Sequence, residues 1–162
     1  MGISFTEQLL IVQQVANELA AQHQQMVGPP HMLAAILNAH QSGGYRLLEQ
    51  LTIVDQLDSE IQSLISRQPQ VQYPEKYQYP PKGKLPLTRD AKDAMEAAHE
   101  TVMQCDMCWD TVDIITGIVR AANSDAAAIL VEHGVDAKSL EQHLTTAGRA
   151  SLIIHEVSRT LP

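Results

Sequence analysis

At 162 residues and 44% hydrophobic content, the chain can bury a core as one domain, or as two small halves sharing a core, without disulfide staples. Its formal net charge of −8 repels phosphate backbones and argues against a nucleic-acid partner. No run approaches the roughly 18 to 20 apolar residues of a bilayer span, no basic-then-apolar leader opens the chain, and two cysteines give no disulfide framework, so a soluble chain in the reducing cytoplasm is expected, without a membrane partner.

The apolar residues are mainly Leu, Ile, Val and Ala, with one Trp and one Phe, a helical composition that predicts an all-α fold with almost no sheet. Thr6 is a candidate N-cap for a first helix over about Thr6 to Gln24, its hydroxyl placed to accept from a free first-turn amide. A second helix runs over about Pro30 to Ala39, where Pro29 and Pro30 suit helix entry because the first turn has no use for their missing N–H. A third follows Ser42-Gly43-Gly44, and a fourth begins near Asp55. Residues 69–86 hold five prolines and three tyrosines without apolar periodicity, which reads as a crossover linker whose tyrosines pack on the surface or bind a partner.

Beyond the linker, Thr88 caps a helix to Gln104 that sets Ala91, Ala94, Met95, Ala98 and Val102 on one face, small enough for close helix approach. The next helix spans Thr111 to Ala122. Another follows Asn123-Ser124-Asp125, and the last starts near Asp136 after Gly134, a candidate C-cap. Residues 149–162 are a mixed tail, either a helix end or the start of a connection.

The halves repeat one pattern. A shift of 82 residues places Phe5-Thr6 on Leu87-Thr88, Leu9 on Ala91, Val12 on Ala94, Ala16 on Ala98, Met32-Leu33 on Ile114-Ile115, Leu47-Leu48 on Ile129-Leu130 and Ile53 on Val135. Few identities survive, but the apolar pattern does, which predicts two like four-helix repeats at 4–68 and 87–148.

Other constellations have competing readings. Cys105 and Cys108, with His99 and His133 in the same half, read as buried or partly exposed thiols, a zinc site, or a redox pair. His31, on an apolar seam, reads as a satisfied core histidine bonded to a neighbouring loop. Asp90, Asp93, Glu96 and Glu100 form an acidic stripe that is either a solvated helix face or a docking surface for a basic partner. Gly83-Lys84 is followed by Leu85 and lacks the preceding glycine of a phosphate loop, so no ATPase is read from the sequence and no metal or cofactor is expected.

Two pseudo-repeats opening Phe5-Thr6 and Leu87-Thr88, a second helix written Val27-Gly28-Pro29-Pro30-His31-Met32-Leu33, and Leu130 through Gly134-Val135-Asp136 resemble the N-terminal domain of the Clp ATPase unfoldases over roughly residues 4 to 146. The resemblance implies a pseudo-two-fold pair of four-helix repeats at 1–148, with 149–162 as tail or linker. It further implies a non-catalytic module that recruits protein substrates or adaptor proteins to a Clp ATPase or protease assembly, or alternatively a stand-alone accessory that docks on that assembly and regulates it. An isolated domain of this kind is expected to be monomeric. Partners are expected beside the inter-repeat cleft at Thr6, Pro30, His31, Thr88, Val112 and Asp113, with the helix ends at Thr6, Pro30, Thr88 and Val112 expected to be exposed. The family commonly begins both second helices with Glu-His-Leu-Leu; here Pro30 and Val112 replace the glutamates. Those carboxylates hold the guanidinium of phosphoarginine in some relatives, so that recognition is expected to be absent or much weakened.

Overall fold

A computed structural model describes residues 4–72, 85–104, 108–153 and 158–159. The first half is β1 (Ser4–Thr6), α1 (Glu7–Gln22), α2 (Pro29–Asn38), α3 (Gly43–Leu51) and α4 (Val54–Arg67). The second is α5 (Arg89–Gln104), β2 (Cys108–Trp109), α6 (Thr111–Ala121), α7 (Asp125–Glu132), α8 (Ala137–His143), α9 (Thr146–Ile153) and β3 (Ser158–Arg159). The fold is all-α, as expected, with one minor sheet in the order β2-β1-β3.

The helices start where hydroxyls and small residues satisfy free amides. Thr6 Oγ1 accepts from Leu9 N at 3.2 Å and Thr88 Oγ1 from Ala91 N at 3.1 Å. Ser42 caps α3 and Ser124 caps α7 in the same way, through Tyr45 N and Ala127 N. Both pairs of caps keep the 82-residue shift, and so do Gly28 and Asp110, which cap α2 and α6. The fourth helices break it: α4 is capped by Ile53 and α8 by Asp136. Gly134, in the left-handed region at φ 84°, is the extra residue of that turn, a conformation glycine adopts without Cβ strain. The gapless match of Ile53 with Val135 is therefore corrected: Ile53 is 62% exposed and Val135 is wholly buried. α8 is also half as long as α4, and α9 follows it without a counterpart after α4 among the described residues.

The central pair is α2 and α6. Every residue from Pro29 to Leu37 and from Thr111 to Val119 is buried, so these helices are enclosed on all sides, with α1, α3, α4, α5, α7 and α8 packed on one or both of them. The alanine face of α5 lies against α6 closely enough that a Cβ on Gly117 would collide with the Ala94 carbonyl oxygen and the Ala98 methyl. One continuous apolar core runs through both halves.

The halves also exchange backbone pairs. Phe5 pairs in parallel with Trp109, and Val27 pairs in parallel with Leu87. Phe5 and Leu87 are repeat equivalents, as are Val27 and Trp109, so the two pairings are related by the pseudo-two-fold axis. The linker is pinned at both ends: Val71 N donates to Gln24 O at 2.8 Å, and Val27 N donates to Pro86 O at 3.0 Å. Its three tyrosines, Tyr73, Tyr77 and Tyr79, lie outside the described residues. A boundary at 148 falls inside α9, which packs on α3 and buries Leu152, while β3 pairs antiparallel with β1.

Candidate functional site

The pseudo-two-fold axis opens into an apolar cavity of about 150 Å³. Its wall is made by Val12, Gln13, Ala16 and Asn17 of α1, Met32 of α2, Met95 of α5 and Ile114 of α6, together with Val27, Leu85 and Leu87. Two of its pairs, Gln13 with Met95 and Met32 with Ile114, are repeat equivalents, which places the cavity between the repeats. Two thioether side chains make such a wall adaptable to different apolar shapes. On the rim, Asn17 Oδ1 accepts from Leu85 N at 3.2 Å.

The sequence-predicted site residues lie close by but do not line the cavity. Thr6, His31, Val112 and Asp113 are no more than 2% exposed and Pro30 is buried; Thr88 is half-buried. The expectation of exposed ends is corrected at Thr6, Pro30 and Val112: Thr6 is turned in to cap Leu9 N, and Pro30 and Val112 lie in first turns enclosed by the core. Their neighbours Met32, Leu87 and Ile114 face the cavity instead. The available signal was the repeat itself, since Met32 and Ile114 already matched as an apolar pair.

His31 and Asp113 are repeat equivalents that do one job with different chemistry. His31 Nδ1 accepts from Gly28 N at 3.0 Å, and Asp113 Oδ2 accepts from Asp110 N at 2.9 Å. Because His31 Nδ1 is an acceptor, its proton sits on Nε2, 2.8 Å from Gln25 Oε1. The Gln25 amide nitrogen in turn donates to Ile65 O and Gln68 O, tying the entry of α2 to the end of α4. Burial, aided by the charge of nearby His23, pulls the His31 pKa down to about 4. This is the satisfied core histidine expected from the sequence.

At the entry of α6, Asp110 Oδ1 accepts from Val112 N and Asp113 N. Arg149 reaches from α9 to bond Asp110 at 2.8 Å and Asp113 at 3.0 Å. Burial pushes the Asp110 carboxyl above its ordinary range, opposed by Arg149 and the two amides. Sequence spacing missed Arg149, which is 39 residues from Asp110 and lay in a segment read as tail.

The groups drawn together as a zinc set have other neighbours. Cys105 lies outside the described residues; His99 stacks on Trp109 at 5.9 Å, and His133 bonds Glu60 and Thr52. Among the described residues no group of three or more His, Cys, Asp or Glu could hold a metal ion, and no single helix is long and apolar enough to cross a membrane. In the acidic stripe, Asp93 accepts from Asn123 at 2.6 Å, while Glu96 and Glu100 are exposed.

The family model for the Clp repeat (R) N-terminal domain matches residues 4–133. Among solved structures, one described as preliminary structural investigations of a malarial protein secretion system superposes with a TM-score of 0.72 at 13% identity, covering 94% of this chain and 99% of that one. The Hsp104 N-terminal domain from Candida albicans gives 0.64 at 16% identity, covering 91% and 90%. The N-terminal domain of the caseinolytic protease associated chaperone ClpD from Arabidopsis thaliana gives 0.60 at 18%, covering 93% and 94%. At these identities the likeness is one of fold. A search of the curated proteins gives no match.

Proposed function

Because the chain belongs to the Clp repeat N-terminal domain family, we propose that it is a non-catalytic module recruiting protein substrates or adaptor proteins to a Clp ATPase unfoldase or protease, in the cytoplasm. The observation that supports this reading most directly is the apolar cavity on the inter-repeat axis. It offers room for an apolar side chain of a partner, with the Gln13 amide at its edge to meet a polar backbone. A cavity this small buries little area, so the grip is weak and release to a motor is cheap.

Three of the residues first placed at the site act here as its frame. Thr6 caps α1, which carries Val12 and Gln13, while His31 and Asp113 close the turns that start α2 and α6, which carry Met32 and Ile114. Phosphoarginine recognition finds little support, since Pro30 and Val112 carry no acceptor side chain and the Asp113 carboxylate is committed to Asp110 N and Arg149.

Binding of a permanently unfolded protein, such as reduced and carboxymethylated lactalbumin, to the Met95→Asp chain tests the proposal. A half-buried wall charge should weaken binding about tenfold or more while the protein stays folded, because desolvating an unpaired carboxylate costs more than the contact returns. Unchanged binding to a folded variant would refute the site.

A further inference from the structure

We propose that the backbone edge at Leu87 seats one extended polypeptide strand, which adds antiparallel to the chain there and sets an apolar side chain into the inter-repeat cavity. The proposal rests on the preceding reading and deepens it: the cavity supplies the apolar contact, and the partner is an unfolded, extended segment of protein.

The edge follows from hydrogen bonds already in place. Val27 N donates to Pro86 O at 3.0 Å, and Thr88 N donates to Val27 O at 2.9 Å. Pro86 and Thr88 therefore turn these backbone groups toward Val27. Successive residues of an extended strand present theirs to opposite edges, so the N–H and C=O of Leu87 point the other way. Among the described residues, neither group has a hydrogen-bond partner. The amide of Leu85 shares that edge and donates to Asn17 Oδ1 at 3.2 Å, which confines the seat to Leu87.

In the other repeat the same edge is filled. Phe5 is the equivalent of Leu87, and its parallel partner Trp109 is the equivalent of Val27. There β1 is the middle strand of the order β2-β1-β3, and its second edge carries β3, with Phe5 opposite Arg159 and Thr6 opposite Ser158 in antiparallel register. A two-residue extended segment thus suffices to occupy this position in this fold. The pseudo-two-fold rotation carries that position onto Leu87 and Thr88.

The repeats differ in what lies beside the edge. Trp109 stacks with both Phe5 and His99, whereas the equivalents of these three, Val27, Leu87 and Asn17, are smaller and line the cavity. In an antiparallel pair, the residue opposite Leu87 places its side chain on the same face of the sheet as Leu87, against that apolar lining. Backbone pairing carries no sequence information, and a single apolar side chain adds little, so such a seat accepts many unfolded sequences. A folded helix has no spare backbone groups to offer it.

Amide NMR on the labelled full chain, with a capped peptide of serines and threonines around one leucine, tests this. In the free chain the Leu87 amide should exchange about tenfold or more faster than that of Thr88. The peptide should slow exchange at Leu87, leave Thr88 unchanged, and itself show extended Cα shifts. N-methylation of the peptide leucine keeps its side chain but removes its N–H, and should weaken binding about tenfold. A Leu87 amide as protected as Thr88 before any peptide is added would mean that the seat is already filled, and overturns the proposal. Equal binding of the N-methylated peptide, or a helical bound peptide, overturns it too. If unfolded lactalbumin binds through Met95 while Leu87 is unaffected, the added strand fails and the cavity stands as the site. If neither peptide nor lactalbumin binds, both readings fall.

Discussion

His31 illustrates how a single buried side chain ties stability to pH. Its ring is neutral in the folded chain, with a pKa near 4 against an ordinary 6.5, so the unfolded chain takes up a proton that the folded one refuses. Stability from this group is complete above pH 6.5 and is lost as pH falls toward 4, by up to about 3 kcal/mol. Asp110, raised by burial, works the other way, losing stability as pH rises. The His31→Gln variant isolates the histidine: urea unfolding between pH 7 and 4.5 should show a shallower loss of stability than in the wild type. Thr88 makes a second test at this scale. If its hydroxyl serves Ala91 N and not a partner, Thr88→Ala lowers stability by about 1 kcal/mol and leaves binding of unfolded protein unchanged.

Among elements, the crossing of α5 on α6 is set by small residues that the sequence displayed openly. Ala91, Ala94 and Ala98 recur at helical spacing, and their face meets Gly117. Replacing Gly117 with Ala would add helix propensity worth about 1 kcal/mol, but the new methyl meets backbone, not the end of a flexible side chain. Overpacking wins, and thermal unfolding should show a net loss of about 1–3 kcal/mol. The helix starts were legible for a related reason, since Thr6, Ser42, Thr88 and Ser124 are local hydrogen-bonding signals that need no tertiary knowledge. What stayed hidden depended on distance along the chain. The exchanged strand pairs join residues far apart, and the bonds from Arg149 to Asp110 and Asp113 give no periodic signal. The one-residue insertion at Gly134 was missed because a turn absorbs an extra residue without altering the apolar pattern around it.

At the scale of the molecule, two repeats share one core, and neither can bury its central helix alone. α2 and α6 are buried on every side from Pro29 to Leu37 and from Thr111 to Val119, and Phe5 and Leu87 each find a backbone partner in the opposite half. Separate fragments 1–72 and 85–162 should therefore show little helix by circular dichroism, and mixing them should restore it; a folded half would contradict shared architecture. The same symmetry explains why the candidate site was legible as a region but not as residues. Duplication predicts a furrow on the axis, whereas which side chains face it depends on helix rotation, and helix ends that look available in sequence are consumed by capping. The most direct measurement is a methyl NMR titration of the labelled chain with an unfolded protein. Shifts concentrated at the Met32, Met95 and Ile114 methyls, with Ile61 and Ile65 of α4 unmoved, are the predicted result; shifts confined to other faces, with those three methyls silent, would contradict binding at the inter-repeat axis.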